Sequence, residues 1–83
     1  MEIDVRYDYS KLRGLIRERL KTEGEFARRI GRSHNYLTKV FQNETYLNQK
    51  DIQVGADTLG IAKDDIGTYF FAKEVYKKET YSI

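Results

Sequence analysis

Two periods divide this chain. Residues 2–9 read Glu-Ile-Asp-Val-Arg-Tyr-Asp-Tyr, polar and apolar in alternation, the pattern of a half-buried strand. From Leu12 the period becomes helical: Leu12, Leu15, Ile16 and Leu20 share one stripe, and Asp8 or Ser10 can cap it. Thr22-Glu23-Gly24-Glu25 has the form of a capping box, with Thr22 at the N-cap and Glu25 reaching back from the third helical position. It predicts a second helix from Glu23 to Ile30 that buries Phe26, Ala27 and Ile30 and ends at Gly31, since glycine accepts the left-handed conformation that closes a helix. Ser33 caps a third helix with the inward stripe Tyr36, Leu37, Val40 and Phe41. A loop spans Asn43 to Leu47. Asn48, with Asp51 three positions on, opens a fourth helix that turns Ile52, Ala56 and Leu59 inward and stops at Gly60. A last short helix runs from about Asp64 to Phe71 and presents Ile66, Tyr69 and Phe70. Residues 76–82 alternate weakly, so both termini are expected to form short β segments that pair within the chain or across a dimer.

Composition narrows the chemistry. With 83 residues, 40% of them hydrophobic and no proline, the chain predicts one mostly helical domain with a modest core. The domain spans 1–83, with a core of about 8–71 and extensions at 1–7 and 72–83. Without cysteine, the chain can hold no disulfide, thiolate metal site or cysteine nucleophile, and its single histidine, His34, excludes a multi-histidine cluster. No nucleophile, base and orienting group can be drawn together from one histidine and scattered carboxylates, so no enzyme activity, metal or cofactor is expected. No apolar run approaches a membrane span, and a soluble, cytoplasmic protein is expected.

The net charge of +2 is unevenly spread. Between Lys11 and Asn43 nine basic residues face three acidic ones, so that stretch carries +6 and the remainder −4. A locally basic middle suits a polyanion-facing surface.

The second and third predicted helices, joined by a short turn containing Gly31, have the spacing of a helix-turn-helix. Counted from Glu23, the small or apolar positions are the fourth, fifth and eighth (Phe26, Ala27, Ile30), glycine is ninth, and Leu37 and Val40 are fifteenth and eighteenth. Ala27 must be small where the helices cross, and Gly31 absorbs the turn. On these residues Leu12 to Ile61 resembles the phage repressor and Cro-type helix-turn-helix domain. The stretches 8–14, 25–27 and 66–71 are similar to small phage or prophage proteins of that class.

The resemblance implies a five-helix fold that binds operator DNA as a homodimer and represses transcription by occupying a promoter. Its recognition helix would be the third, with Ser33, His34, Asn35, Thr38 and Lys39 at base edges. Those are also the polar residues that remain outward once the apolar stripe is buried. Asn35 carries the amide that pairs bidentately with adenine, and Lys39 can reach guanine or a phosphate. Arg28, Arg29, Arg32, Gln42, Asn43, Tyr46 and Lys50 are the candidates for the DNA backbone. Two positions depart from the family: the first, usually Gln, is Glu23, and the tenth, usually apolar, is Arg32. A carboxylate there repels phosphate unless it is turned away or paired with an arginine. At Arg32 either a turn contact is lost, or the stem packs while the head reaches water or phosphate. Both departures, with the low net charge, also suit a second class of function, an antitoxin-like or modulator module that grips a phage or host regulatory protein.

Overall fold

The computed structural model describes residues 6–74. They form helices α1 (Ser10–Leu20), α2 (Glu23–Ile30), α3 (His34–Phe41), α4 (Gln49–Leu59) and α5 (Ile66–Phe70), with a 3-10 turn at Lys63–Asp65 running into α5. The fold is mostly helical, as the periodicity predicts.

The helix starts follow from side-chain chemistry. At α1 it is Asp8 that contributes, its carboxylate accepting from the Ser10 N–H at 2.9 Å, while Tyr9 occupies the N-cap position. Thr22, Ser33 and Asn48 each accept the backbone N–H three residues on, satisfying a donor with no partner inside the helix. The full capping box is at α4, where Asp51 also accepts from the Asn48 N–H. At α2 only half of the predicted box forms: Thr22 accepts from Glu25 N, but the Glu25 carboxylate turns to Arg28 and Arg29. Two arginines one turn ahead outcompete a single backbone N–H, because charge-assisted forks are the stronger bonds. Gly31 and Gly60 close α2 and α4 at φ 77° and 70°. Over Gly60 lies the head of Arg19, which donates to the Leu59 carbonyl at 2.7 Å.

The core is one cluster drawn from every α-helix. Leu12 and Ile16, Phe26, Ala27 and Ile30, Leu37 and Val40, Ala56 and Leu59, and Phe70 are buried together with Tyr9. Burying each large side chain stabilises by about 1.5–3 kcal/mol against leaving it in water. Helix α2 is central, packing against α1, α3 and α4. Of the expected α3 stripe, Leu37 and Val40 are buried, while Tyr36 and Phe41 lie half-buried at its edges.

The ends depart from the sequence reading. Within residues 6–9 the strand reduces to one antiparallel bridge, Tyr7 with Lys73, flanked by backbone bonds from Asp8 to Ala72 and from Glu74 to Arg6. The alternation stops there because Tyr9 turns into the core and the chain enters α1. The termini thus begin to pair within one chain; residues 2–5 and 76–82 lie outside the described residues. The single helix expected over 64–71 is divided into the 3-10 turn and α5, with no side chain capping either.

Gly55 explains how closely α4 approaches α2. A Cβ there would sit 2.9 Å from Cζ of Phe26 and 3.5 Å from Cζ of Phe70, both rings fully buried. Gly55→Ala is therefore expected to lower unfolding stability by about 1–3 kcal/mol through overpacking, although alanine favours helix. Urea unfolding checks this, and an unchanged or raised midpoint contradicts it.

Candidate nucleic-acid interface

The turn between α2 and α3 is three residues, Gly31 to Ser33. Backbone bonds from Gly31 to Arg28 and from Arg32 to Ala27 fix its path. Ser33 then starts α3, its Oγ accepting from Tyr36 N at 3.0 Å. With Leu37 and Val40 buried, the opposite flank presents Ser33, His34, Asn35 and Lys39, all exposed. The side chains of His34, Asn35 and Lys39 make no hydrogen bond or ion pair within the described residues. His34 lies over the first turn of α2, its Nδ1 3.9 Å from where a Cβ on Gly24 would stand. Thr38 is half-buried, and its hydroxyl donates to the His34 carbonyl at 3.1 Å, one turn back along the helix.

The candidate backbone residues divide into free and engaged. Gln42, at the end of α3, and Lys50, in the first turn of α4, are exposed and carry no ion pair among the described residues. Tyr46 is 54% exposed, and its carbonyl accepts from the Tyr36 hydroxyl at 2.6 Å, which ties the loop to α3. Asn43 faces the other way. It takes φ 62°, and its amide brackets the Tyr7 backbone, accepting from the N–H at 2.8 Å and donating to the carbonyl at 3.1 Å. Its side chain therefore anchors the N-terminal segment.

Arg32 forms an internal clamp. Its guanidinium reaches Asp51 with Nη2 2.9 Å from Oδ2, and it stacks 4.5 Å from the centre of the Tyr36 ring. Asp51 is 5% exposed, so a buried carboxylate receives both an arginine and the capping bond from the Asn48 N–H. Hydrogen bonding to Asp51, ahead of Coulomb attraction, raises the Arg32 pKa. The head expected in water or on phosphate is thus committed to joining the turn to α4.

Glu23 is paired as well: Arg13 Nε lies 2.8 Å and Arg17 Nη2 3.5 Å from Oε2, tying α1 to the start of α2. Arg13 continues over the Phe41 ring at 5.1 Å. The exposed pair Arg28 and Arg29 share Glu25, Arg28 through Nε and Nη2 at 3.1 and 2.6 Å and Arg29 through Nε at 2.7 Å. Five of the nine cations of the basic middle thus hold carboxylates, Arg13 and Arg17 sharing Glu23, Arg28 and Arg29 sharing Glu25, and Arg32 on Asp51, while Lys39 and, in α4, Lys50 carry no ion pair among the described residues.

The family described as "Protein of unknown function (DUF739)" matches residues 5–73. The chain belongs to that family. No curated protein matches it. Among the described residues of this DUF739 domain, no group of three or more His, Asp or Glu could hold a metal ion, and no helix is long and apolar enough to cross a membrane.

Sequence spacing missed the partners of the charged residues. The Arg32–Asp51 pair is separated by 19 positions and crosses two elements, so no local period announces it. The Glu25 arrangement had a signal: arginines three and four positions ahead are the spacings at which helical side chains meet.

Hydrogen bonds from Arg28, then Arg29, hold the Glu25 carboxyl at about 2, against an ordinary 4.5. A depressed folded-state pKa contributes stability that is complete above about 4.5 and is lost as the pH falls toward 2. Solvent screening keeps that contribution small at an exposed site. Carbon-detected NMR of the Glu25 carboxyl should give a midpoint near 2, and Arg28→Gln should move it toward 4.5. A parent midpoint already in the ordinary glutamate range contradicts the double clasp.

Proposed function

We propose that this DUF739 chain is a sequence-specific double-stranded DNA-binding regulator of transcription, of the Cro and repressor type, working in the cytoplasm. The observation that carries this reading is the bare flank of α3: His34, Asn35 and Lys39 are exposed and unsatisfied within the described residues, on a helix whose opposite side is locked to α2. Polar side chains held on a rigid helix, with no partner among the described residues, are ready to bond elsewhere without reorganising. In the major groove Asn35 pairs with adenine N6 and N7, and Lys39 meets guanine O6 and N7 or a phosphate. Ser33 and His34 meet neighbouring edges from the first turn. Thr38 offers its methyl and a hydroxyl already donating to His34 O. Gln42, Lys50 and Tyr46 flank these groups and take the DNA backbone. A homodimer sets two such helices about one DNA turn apart on a near-palindromic operator, and occupancy excludes polymerase.

The test is selection of bound sites from a random duplex library, followed by anisotropy titrations over a range of salt. A preferred sequence and a falling affinity with salt are expected. Asn35→Ala should relax preference at one base pair, costing about 1–3 kcal/mol there, and Lys50→Ala should weaken every duplex alike and lessen the salt slope by about 1. No enrichment and no salt dependence would end this reading.

One observation favours a second reading, a module that binds a regulatory protein. Tyr46 and Phe71 are large and exposed, and with Tyr7, Tyr9, Leu47, Ile52 and Phe70 they line a cleft of about 130 Å³. Phe71→Ser separates the two, since it should leave duplex binding intact and abolish a protein complex that runs through the cleft.

A further inference from the structure

Glu25 engages two exposed guanidinium groups at once. Arg28 approaches both carboxylate oxygens through Nε and Nη2, and Arg29 approaches Oε2 through Nε. The side chains of Arg28 and Arg29 are 71% and 47% exposed, so the cluster stands at the surface of α2, the helix on which α3 is seated. An arginine fork that grips a carboxylate is the same fork that grips a phosphate, because both present a pair of oxygens with matching spacing and charge. Glu25 therefore occupies, within its own chain, the position that a DNA phosphate would take. Its carboxylate is not needed to begin the helix, since Thr22 Oγ1 already accepts from the Glu25 backbone N–H.

We propose that Glu25 is a built-in competitor for the DNA backbone, holding Arg28 and Arg29 in the free protein and yielding them to phosphate when a duplex docks. The inference rests on the duplex-binding reading above. Each arginine contact then becomes an exchange of carboxylate for phosphate and contributes less than a new ion pair. The weakening is common to operator and random sequence, because phosphates carry no sequence information. Non-specific binding consists almost wholly of such contacts, so Glu25 keeps the domain from being held on arbitrary DNA. Discrimination stays with the α3 side chains.

The full chain is titrated by anisotropy with a random-sequence duplex and with a selected one, comparing the parent with Glu25→Gln and with Asp64→Asn. Asp64 lies in the exposed 3-10 turn and pairs with neither arginine, so its variant reports the effect of one lost negative charge alone. Glu25→Gln should bind both duplexes about fivefold tighter, on the scale of an exposed ion pair, and Asp64→Asn should behave as the parent. In the parent, the Nε–H signals of Arg28 and Arg29 should shift as duplex is added. Unchanged affinity in Glu25→Gln, an equal gain in Asp64→Asn, or arginine signals that stay put while the parent binds would each overturn this inference and leave the duplex-binding reading standing. A parent that binds no duplex at any salt concentration removes both.

Discussion

Phe26, Ala27 and Ile30 form one apolar face on α2, and three other helices close on or around it. The face works because its members differ in size. Phe26 is large enough to fill the centre of the core, and its ring meets α4 where Gly55 has no side chain. Ala27 is small enough for α3 to approach, and Leu37 and Val40 complete the contact from that side. Once α3 is locked there, its polar residues have no route inward. The exposed flank of Ser33, His34, Asn35 and Lys39 is thus a consequence of core packing, and the proposed function is built on that consequence.

Charge pairing adds a second layer of order. Glu23 joins α1 to α2 through Arg13 and Arg17, and Asp51 joins the α2–α3 turn to α4 through Arg32. Glu23 is itself one of the two positions at which the sequence departs from the family it resembles, and Asp51 holds the other, Arg32. Glu23 is tied to α1 and is itself largely covered. Arg32, in place of an apolar turn residue, contacts Tyr36 with its guanidinium face and Asp51 with its edge. A buried ion pair is weak evidence for net stability, because desolvation opposes the attraction. It does fix geometry, and here it fixes how the turn meets the fourth helix.

Elements governed by local rules were legible in the sequence. The bounds of α2 follow from Thr22 and Gly31, the start of α3 from Ser33, and both ends of α4 from Asn48 and Gly60, since each depends on a residue within a turn of the boundary. The outward flank of α3 was legible by subtraction, once its apolar stripe had been assigned. What spacing could not supply were contacts between distant positions. Asn43 looks in sequence like a helix-end residue free to meet a phosphate, yet its amide holds Tyr7, 36 positions away. Gly55 looks like a mild helix weakener, and only the buried rings of Phe26 and Phe70 show what it makes room for. Arg28, Arg29 and Arg32 look like a basic patch until Glu25 and Asp51 are found beside them, so a count of basic residues alone overstates the field this surface projects.

In the proposed function, the exposed side of α3 is the surface that meets a duplex. Amide chemical-shift mapping of the full chain tests it most directly, with a duplex carrying a selected site added stepwise. The largest changes should fall on Ser33 to Gln42 and on Lys50, with the backbone of Leu12, Ile16 and Leu59 in the core little moved. Changes centred on Tyr7, Leu47 and Phe71, or none at saturating duplex, would contradict it.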